Sequence, residues 1–228
     1  MSRTTLLVIA ALFAVHSIAT AAASEASASK MMPAPAAVPA GSYTLDRSHA
    51  SLLFRVDHLG FSNYSARFRR FDAKLDFDPA RLSAARLQAT VDVTSIETDF
   101  PDPAKLDFNA QLRGPDWLDA EKHPTMAYRS LRVVPTGAKS FRIEGELTMR
   151  GITRPVVLEA RYNGGYSGHP MDPNARIGFS AIGRLKRSAF GMTIGIPPAG
   201  STMGVGDEVE LLIETEFTGP PLPKAAAN

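Results

Sequence analysis

Two histidines stand at the ends of the stretch whose residue types are most suggestive of chemistry. His49 and His58 bracket the sequence HASLLFRVDHLG, residues 49–60. Imidazole groups hold metal ions and exchange protons near neutral pH. In an extended chain, nine residues at ~3.3 Å each separate the two by about 30 Å, which is too far to share an ion. We therefore predict no metal site, and we expect His58 to lie at a strand end, facing the mouth of the space that the strand helps to enclose.

The other reactive residue types form no catalytic set. The chain has no cysteine, which excludes thiol chemistry and thiolate ligands. It has no G-x-S-x-G nucleophile motif and no H-E-x-x-H metal motif. In residues 114–123, GPDWLDAEKH, acids lie close to His123, but charge on a helix surface is the commoner origin of such a run. We predict no catalytic residue, no metal and no cofactor.

Length and charge narrow the class of protein. The chain has 228 residues, of which 44% are hydrophobic, and this is enough for one large domain. Its 25 basic and 23 acidic residues leave a formal net charge of +2. Such a balance argues against a nucleic-acid partner, which needs a clustered basic surface.

The two ends of the chain differ in composition from the rest. Residues 1–23 have the organisation of a secretory signal peptide, with Arg3 followed by an apolar run and small residues suited to cleavage. We therefore predict export, with no stable membrane span after cleavage. Residues 24–41 are Ala/Pro-rich and are expected to form a linker, and residues 219–228 a tail that does not pair in a sheet. The predicted folded domain is then 42–218.

The dominant pattern between these ends is an alternation of apolar and polar residues. In residues 51–57, Leu52, Phe54 and Val56 share one face while polar or charged residues mostly occupy the other. This period of two is typical of half-buried strands. Further runs of this kind occupy 71–77, 87–93, 126–128, 141–149, 156–162, 177–181 and 209–217.

Turn residues separate some of these runs. Gly151 is expected in a tight hairpin turn that needs a positive φ, and Pro155 is expected as the first residue of the returning strand. Residues 162–174 are expected to form a long hairpin loop.

One segment interrupts the alternation. In residues 102–120, Leu106, Leu112 and Trp117 recur at near-helical spacing, and we predict one or two short helices there.

The number of predicted strands indicates how the sheet is closed. About eight antiparallel strands with one charged face each would expose unpaired, aggregation-prone edges if the sheet stayed open. We therefore predict an all-β fold, an antiparallel barrel of about eight strands, with a β-sandwich as the structural alternative.

The inward faces of the predicted strands mix bulky rings with small residues. This mixture predicts either a long apolar slot, suited to an isoprenoid or acyl tail, or a filled core whose small residues match the taper of the barrel. Both interpretations stay open on this pattern alone. The predicted lining residues are Leu52, Phe54, Val56, His58, Phe71, Leu75, Phe77, Val91, Phe141, Ile143, Leu147, Leu158, Phe179, Leu211 and Ile213.

Three arginines are candidates to contact the head group of such a ligand. Arg113, Arg154 and Arg187 lie near predicted turns or helix ends. A guanidinium group in such a place can bind a carboxylate or phosphate through two hydrogen bonds.

Several phrases of the chain, taken together, resemble the polyisoprenoid-binding YceI-like family. They are YTLDRSHASLLFRVDHLGFS (43–62), FDAKLDFD (71–78), FNAQLRGPDWLDAEKHPTMAYRS (108–130), EGELTMRGITRPVVLEA (144–160) and RSAFGM (187–192). The resemblance covers nearly the whole predicted domain. It implies a lipocalin-like barrel in the periplasm whose long interior takes an isoprenoid or another amphiphilic lipid, without a general enzymatic activity.

Most positions of the family pattern are expected to be structural. They are Tyr43, Asp46, His49, Phe54, His58, Gly60, Phe68, Leu112, Arg113, Pro124, Gly145, Leu147, Thr148, Gly151, Arg187 and Gly191. The chain departs from the pattern at Ala50, where the family usually has serine, and at Ala66 and Ala73, where it tends to have glycine. Extra methyl groups are expected to narrow the slot, so the ligand can differ from that of the relatives.

The leading hypothesis is an exported carrier that sequesters a long-chain lipid. One alternative is a stress-related structural barrel with a filled core, which interacts with a protein partner through its charged outer face. Another is a hydrolase or isomerase that acts on an enclosed lipid through His58 and Arg187. A lipid is thus the expected ligand, and the pairing of two barrels as a homodimer is left open.

Overall fold

The structure is a computed structural model that describes residues 38–221. The predicted signal peptide, residues 24–37 of the predicted linker and residues 222–228 of the predicted tail lie outside the described residues. Eleven strands and one α-helix are found in the described part. They are β1 Gly41–Leu45, β2 Ser51–His58, β3 Ser62–Phe68, β4 Phe71–Phe77, β5 Arg86–Asp92, β6 Ile96–Glu97, α1 Phe108–Arg113, β7 Thr125–Pro135, β8 Ser140–Met149, β9 Ile152–Tyr166, β10 Asn174–Lys186 and β11 Val205–Pro221.

The strands form one closed antiparallel sheet. The neighbour order is β1–β4–β5–β7–β8–β9–β10–β11, and β11 returns to β1. Strand β11 also pairs with β2, so that Leu211 lies opposite Phe54 while Phe217 lies opposite Leu45. Strands β1 and β2, β3 and β4, and β5 and β6 follow each other after short interruptions, which makes eight long strands in up-and-down order. The predicted eight-stranded antiparallel barrel is confirmed, and the β-sandwich alternative is wrong.

Acidic side chains begin two of these interruptions. Asp46 accepts a hydrogen bond from the amide of Ser48 at the start of a short 3-10 turn between β1 and β2. Asp92 accepts one from the amide of Thr94 in the same way between β5 and β6. Such caps satisfy amide groups that leave the strand ladder. Arg70 joins the second and third interruptions, because its Nε donates to the Asp92 carboxylate at 2.8 Å.

The connections between strands lie at the two ends of the barrel, which we call the mouth end and the base. The mouth end carries residues 59–61, 98–124, 150–151 and 187–204, and the base carries residues 78–85, 136–139 and 167–173. At the mouth end, Arg150 and Gly151 both have positive φ, 53° and 72°, in the two-residue turn between β8 and β9. Gly151 was predicted for such a turn, whose backbone favours glycine.

Pro155 is placed differently from the prediction. It is the fourth residue of β9, opposite Glu146, and not the first. Strand β10 pairs with β9 only between Leu158 and Tyr166. Pro155 therefore has a neighbouring strand on one side only, which is the position that a residue without an N–H tolerates.

Two predicted boundaries also move, because the strands at the base are longer than the alternation indicated. The β9–β10 connection spans residues 167–173, whereas the sequence predicted a loop over 162–174. Strand β11 continues to Pro221, which lies opposite Asn174. Residues 219–221 of the predicted tail thus pair in the sheet, contrary to expectation. Prolines are compatible with this place because the strand ends there.

The outer face of the barrel carries ion pairs that cross the strands. Glu210 lies between Arg55 and Arg184 and forms ion pairs with both, and Arg132 donates two 2.9 Å hydrogen bonds to Glu144. Exposed pairs of this kind contribute only about 0–1 kcal/mol each. Their main consequence is to fix which face of each strand points outward, because the charged face stays in water and the apolar face turns inward.

The buried side chains form two groups, one toward each end. The base group contains Tyr43, Phe77, Ile177 and Phe217, among others. The mouth group contains members of several elements, including Phe68, Val93, Leu112, Met126, Phe190 and Met192. Leu87 and Ile143, which are only partly buried, pack against both groups. The two groups together extend from the base to the mouth end.

Candidate ligand-binding cavity

A cavity of about 730 Å³ lies inside the barrel and is lined by members of both buried groups. Its wall is almost entirely aliphatic and aromatic. The volume lies within the range of roughly 300–1,000 Å³ that pockets for small organic molecules have. Only seven of the described lining residues have a nitrogen or oxygen atom in the side chain, and these are His58, Tyr64, Gln111, Trp117, Tyr128, Arg187 and Thr215.

The interior face was predictable because the strands alternate strictly. Across β2 and β11, Leu52 lies opposite Ile213 and Phe54 opposite Leu211, so inward residues of neighbouring strands meet. All fifteen residues predicted to line the interior line the cavity, and their contact with a ligand stays a prediction. They are Leu52, Phe54, Val56, His58, Phe71, Leu75, Phe77, Val91, Phe141, Ile143, Leu147, Leu158, Phe179, Leu211 and Ile213.

Small residues keep the cavity wide. Ala73 pairs with Ala89, Ala160 pairs with Ala181, and all four side chains line the cavity. Because larger side chains at these positions would project into the cavity, the four alanines preserve its width. Of the alanines that depart from the family pattern, Ala73 lies in this wall.

Gly145 has a different role, which is to admit a neighbouring ring. A Cβ atom at position 145 would lie 2.4 Å from the ring and hydroxyl of Tyr128. Tyr128 therefore lies over Gly145, with its hydroxyl 3.3 Å from the carbonyl oxygens of Ile143 and Val156. Burial raises the pKa of Tyr128 well above its ordinary value. The group is consequently a neutral hydroxyl in the cavity wall.

The cavity opens at the mouth end. Its lining residues His58, Leu106 and Gln111 are exposed there, Leu106 to 42%. At the base, the lining residues Phe77 and Phe217 are only 8% and 3% exposed. His58 is the last residue of β2, so it lies at a strand end beside the opening, as the sequence predicted.

Arg187 is the only fully charged group in the described wall, and its side chain is 3% exposed. Its Nε donates to the carbonyl of Gly206, one terminal nitrogen to Met192 and Ile194, and the other to Val205, at 2.8–3.0 Å. The guanidinium also lies 5.5 Å from the centre of the Trp117 ring. Burial lowers the pKa of Arg187.

These contacts change the expected role of Arg187. Its hydrogen bonds tie together the two ends of the 187–204 connection, which covers the mouth end. The predicted contact with an anionic head group is therefore replaced by a structural role, because most of the donors are already engaged.

The other two predicted head-group arginines do not reach the cavity wall. The Nε of Arg113 donates to the carbonyl of Asn109 at 3.2 Å, and its terminal nitrogen lies 3.9 Å from Asp107. Arg154 is exposed and donates to the carbonyl of its neighbour Thr153. Arg113 is held along its own helix. Arg154 lies opposite Leu147 at the mouth end of β9, on the same face as Val156 but outside the described lining. Of the three arginines, only Arg187 therefore belongs to the cavity wall.

One cluster on the outer surface has the residue types of a metal site. Asp46, His49 and Glu216 bring ligand atoms within 4.8 Å of one another. However, Arg176 forms ion pairs with Asp46 and, at 3.8 Å, with Glu216. Hydrogen bonds from Arg176 and then His49 hold the pKa of Asp46 well below its usual range, and the bond to Asp46 raises the pKa of His49. Since a guanidinium already compensates the carboxylates, we interpret the cluster as a brace for the β1–β2 interruption.

Sequence reasoning missed part of the wall. Phe108, Leu112, Trp117 and Leu118, from α1 and the residues after it, line the cavity beside the strands. Their near-helical spacing predicted a helix across one end but gave no sign of which side chains point inward. Met192, in the 187–204 connection, was missed because it lies in no periodic run.

A closed eight-stranded antiparallel barrel around an apolar cavity defines a lipocalin-like class of protein. The chain belongs, more narrowly, to the family described as the YceI-like domain, whose family model matches residues 43–217. A UPF0312 protein of Vibrio cholerae is 31% identical over 188 residues, covering 82% of this chain and 92% of the relative. A UPF0312 protein of Pseudomonas aeruginosa is 34% identical over 179 residues, covering 78% and 86% respectively.

Solved structures have the same fold. BcnA of Burkholderia cenocepacia matches with a TM-score of 0.63 at 24% identity, covering 75% of this chain and 98% of that protein. A YCEI protein of Campylobacter jejuni matches with a TM-score of 0.59 at 28% identity, covering 72% and 89%. A polyisoprenoid binding domain from Saccharophagus degradans matches with a TM-score of 0.55 at 12% identity, covering 80% and 100%. Among residues 38–221, no helix has both the length and the apolar character needed to cross a bilayer.

Proposed function

We propose that the protein is an exported binding protein that holds a long-chain isoprenoid, with the chain inside the barrel and the head group at the mouth end. The observation that carries this proposal is the cavity of about 730 Å³ with its almost wholly apolar wall. The family membership supports it, as does the polyisoprenoid-binding name of one protein of the same fold. The same cavity speaks against a barrel with a filled core.

The wall favours a neutral ligand over an anionic one. No Asp, Glu or Lys belongs to the described lining, and the guanidinium of Arg187 donates to four main-chain carbonyls. A buried phosphate would thus lose its hydration without gaining a free cation, which is costly. His58 and Gln111 at the opening offer hydrogen bonds to an uncharged polar head group instead.

Binding is expected to depend on chain length. Each methylene group taken out of water contributes roughly 0.8 kcal/mol, so affinity should rise with each added isoprene unit until the cavity is full. Isothermal titration with isoprenoid alcohols of increasing length measures this dependence. A constant affinity across the series, or a preference for the matching monophosphates, would contradict the proposal.

We propose binding without turnover, because the described lining has no carboxylate and its one arginine is engaged. Incubation with an isoprenoid alcohol or its ester, followed by mass spectrometry of the extracted lipid, should return the compound unchanged. A product that disappears with His58→Ala would instead support the enzymatic alternative.

A further inference from the structure

Two connections at the mouth end expose apolar side chains to water. Phe61, in the β2–β3 turn, is 81% exposed, while Met203 and Ile194, in the 187–204 connection, are 68% and 46% exposed. The connections touch, because the Leu59 amide donates to the Gly204 carbonyl at 2.8 Å. A single exposed apolar residue is ordinary, but here three lie on two adjoining segments.

Apart from Arg187, whose side chain is only 3% exposed, these two connections carry no charged residue. Residues 59–66 and residues 188–206 contain no Asp, Glu, Lys, Arg or His. Since 21% of the chain is charged, the nineteen positions of the second run would hold about four charged residues at the average rate. Charged side chains are costly in an apolar surrounding, so an uncharged surface with exposed apolar tips is suited to enter one.

The uncharged surface borders the opening of the cavity. His58, which lines the cavity, directly precedes the β2–β3 turn, and Val205, which also lines it, follows Met203 by two residues. Leu106, another lining residue, is 42% exposed at the same end. A lipid that leaves a bilayer through water exposes its chain, at a cost that grows with every methylene group. That cost is avoided if the opening meets the bilayer directly.

We propose that Phe61, Ile194 and Met203 form a membrane-docking rim that inserts into the surface of a lipid bilayer, so that a lipid passes between the bilayer and the cavity. The inference rests on the proposed function, because it gives the rim its purpose. A bilayer fits the observations better than a protein partner does, because neither connection exposes a charged side chain that could orient a partner. Shallow insertion of apolar side chains does not require anionic lipids.

The test compares two serine substitutions with a matched control. The protein, purified in the form in which its host accumulates it, is floated with phosphatidylcholine vesicles, alongside the variant with Phe61→Ser and Met203→Ser. Met171→Ser is the control, because Met171 is 92% exposed in the 167–173 connection at the base. The double variant should bind vesicles about tenfold more weakly, while the control and a high-salt buffer leave binding unchanged.

Several results would overturn the rim. They are equal binding by the double variant, loss of binding in the control, and wild-type binding that needs anionic lipid or low salt. A change of oligomeric state in the double variant, measured by sedimentation without vesicles, would show a protein interface instead. Because all three positions are exposed, unchanged thermal unfolding of the variants is expected and separates docking from misfolding.

A second measurement separates failure of the rim from failure of the proposed function. Phe61 and Met203 do not line the cavity, so the double variant should bind an isoprenoid alcohol presented in detergent as tightly as wild type does. Its uptake of the same alcohol from phosphatidylcholine vesicles should be about tenfold slower. Normal uptake in the double variant refutes the rim, whereas vesicle docking without any alcohol binding refutes the carrier function and leaves the rim without its stated purpose.

Discussion

At the scale of single residues, Phe54 reports which way strand β2 faces. Its ring lines the cavity 5.7 Å from the ring of Phe68. Phe54→Asp would place an unpaired carboxylate in an apolar wall, which should destabilise the fold by roughly 3 kcal/mol or abolish lipid binding. Thermal unfolding and titration with an isoprenoid alcohol measure both effects.

The matched control is Ser65→Asp. Ser65 is exposed on the outer face, opposite Arg55, so a carboxylate there meets water and a cation. This variant should unfold and bind like wild type. Equal behaviour of the two variants would mean that the assigned facing of β2 is wrong.

Arg187 gives a second prediction at this scale. Replacing it with methionine keeps much of the packing but leaves four carbonyls without their donor, at a cost of about 1–3 kcal/mol for each that stays buried. Arg187→Lys should rescue little, because an ammonium group cannot reproduce the planar fork. Hydrogen exchange should then accelerate in the 187–204 connection first. Unchanged protection of that connection in both variants would refute the structural role.

At the scale of elements, Gly145 links two strands of the wall. A Cβ there would meet the Tyr128 ring at 2.4 Å and the Arg129 carbonyl at 2.5 Å. Gly145→Ala should therefore destabilise the protein by about 1–3 kcal/mol through overpacking. Gly137→Ala is the control, since its nearest neighbour would be 3.7 Å away. Equal melting temperatures of the two variants would contradict this packing.

The brace at the β1–β2 interruption predicts a dependence on pH. The pKa of Asp46 is lowered in the folded state, mainly by the hydrogen bond from Arg176. Its stabilising contribution is therefore present above the unfolded pKa of about 3.9 and is lost as the pH falls through the lower folded pKa. Wild type should melt above Asp46→Asn at pH 7, and the gap should shrink below about pH 4. A gap that stays constant down to pH 3 would argue against the ion pair.

The stabilising contribution of His49 in the same brace should depend on pH in the opposite direction. Its pKa is raised, first by the hydrogen bond to Asp46, so its contribution is complete below the unfolded pKa of about 6.5 and is lost as the pH rises through the folded pKa. The contribution of Asp46 to stability is thus lost toward low pH and that of His49 toward high pH. Thermal unfolding measured across this pH range therefore distinguishes the two residues.

The strands and the helix also differ in how much of their structure could be predicted from the sequence. The alternation in residues 51–57 and in the other runs settled which side chains face inward, because a strand has only two faces. It could not place Phe108 or Trp117, whose direction depends on how a short helix packs across the sheet. It also could not show that Arg187 donates hydrogen bonds to the carbonyls of Met192 and Val205, since the tertiary fold and not a sequence pattern brings these groups together.

At the scale of the whole molecule, the cavity affects the stability of the fold. Apolar side chains around a cavity of about 730 Å³ lack packing partners on their inward side. A ligand that fills the barrel is therefore expected to raise its melting temperature strongly.

The most direct test of the account is native mass spectrometry of the protein purified from its own host. Wild type should carry one long-chain lipid. Ala89→Trp should carry much less, because Ala89 lines the cavity and a tryptophan there would project into it, while Ala127→Trp, whose position faces outward on β7, should carry the lipid like wild type. A wild-type mass equal to that of the polypeptide alone, together with no uptake of added isoprenoid alcohol, would contradict the account.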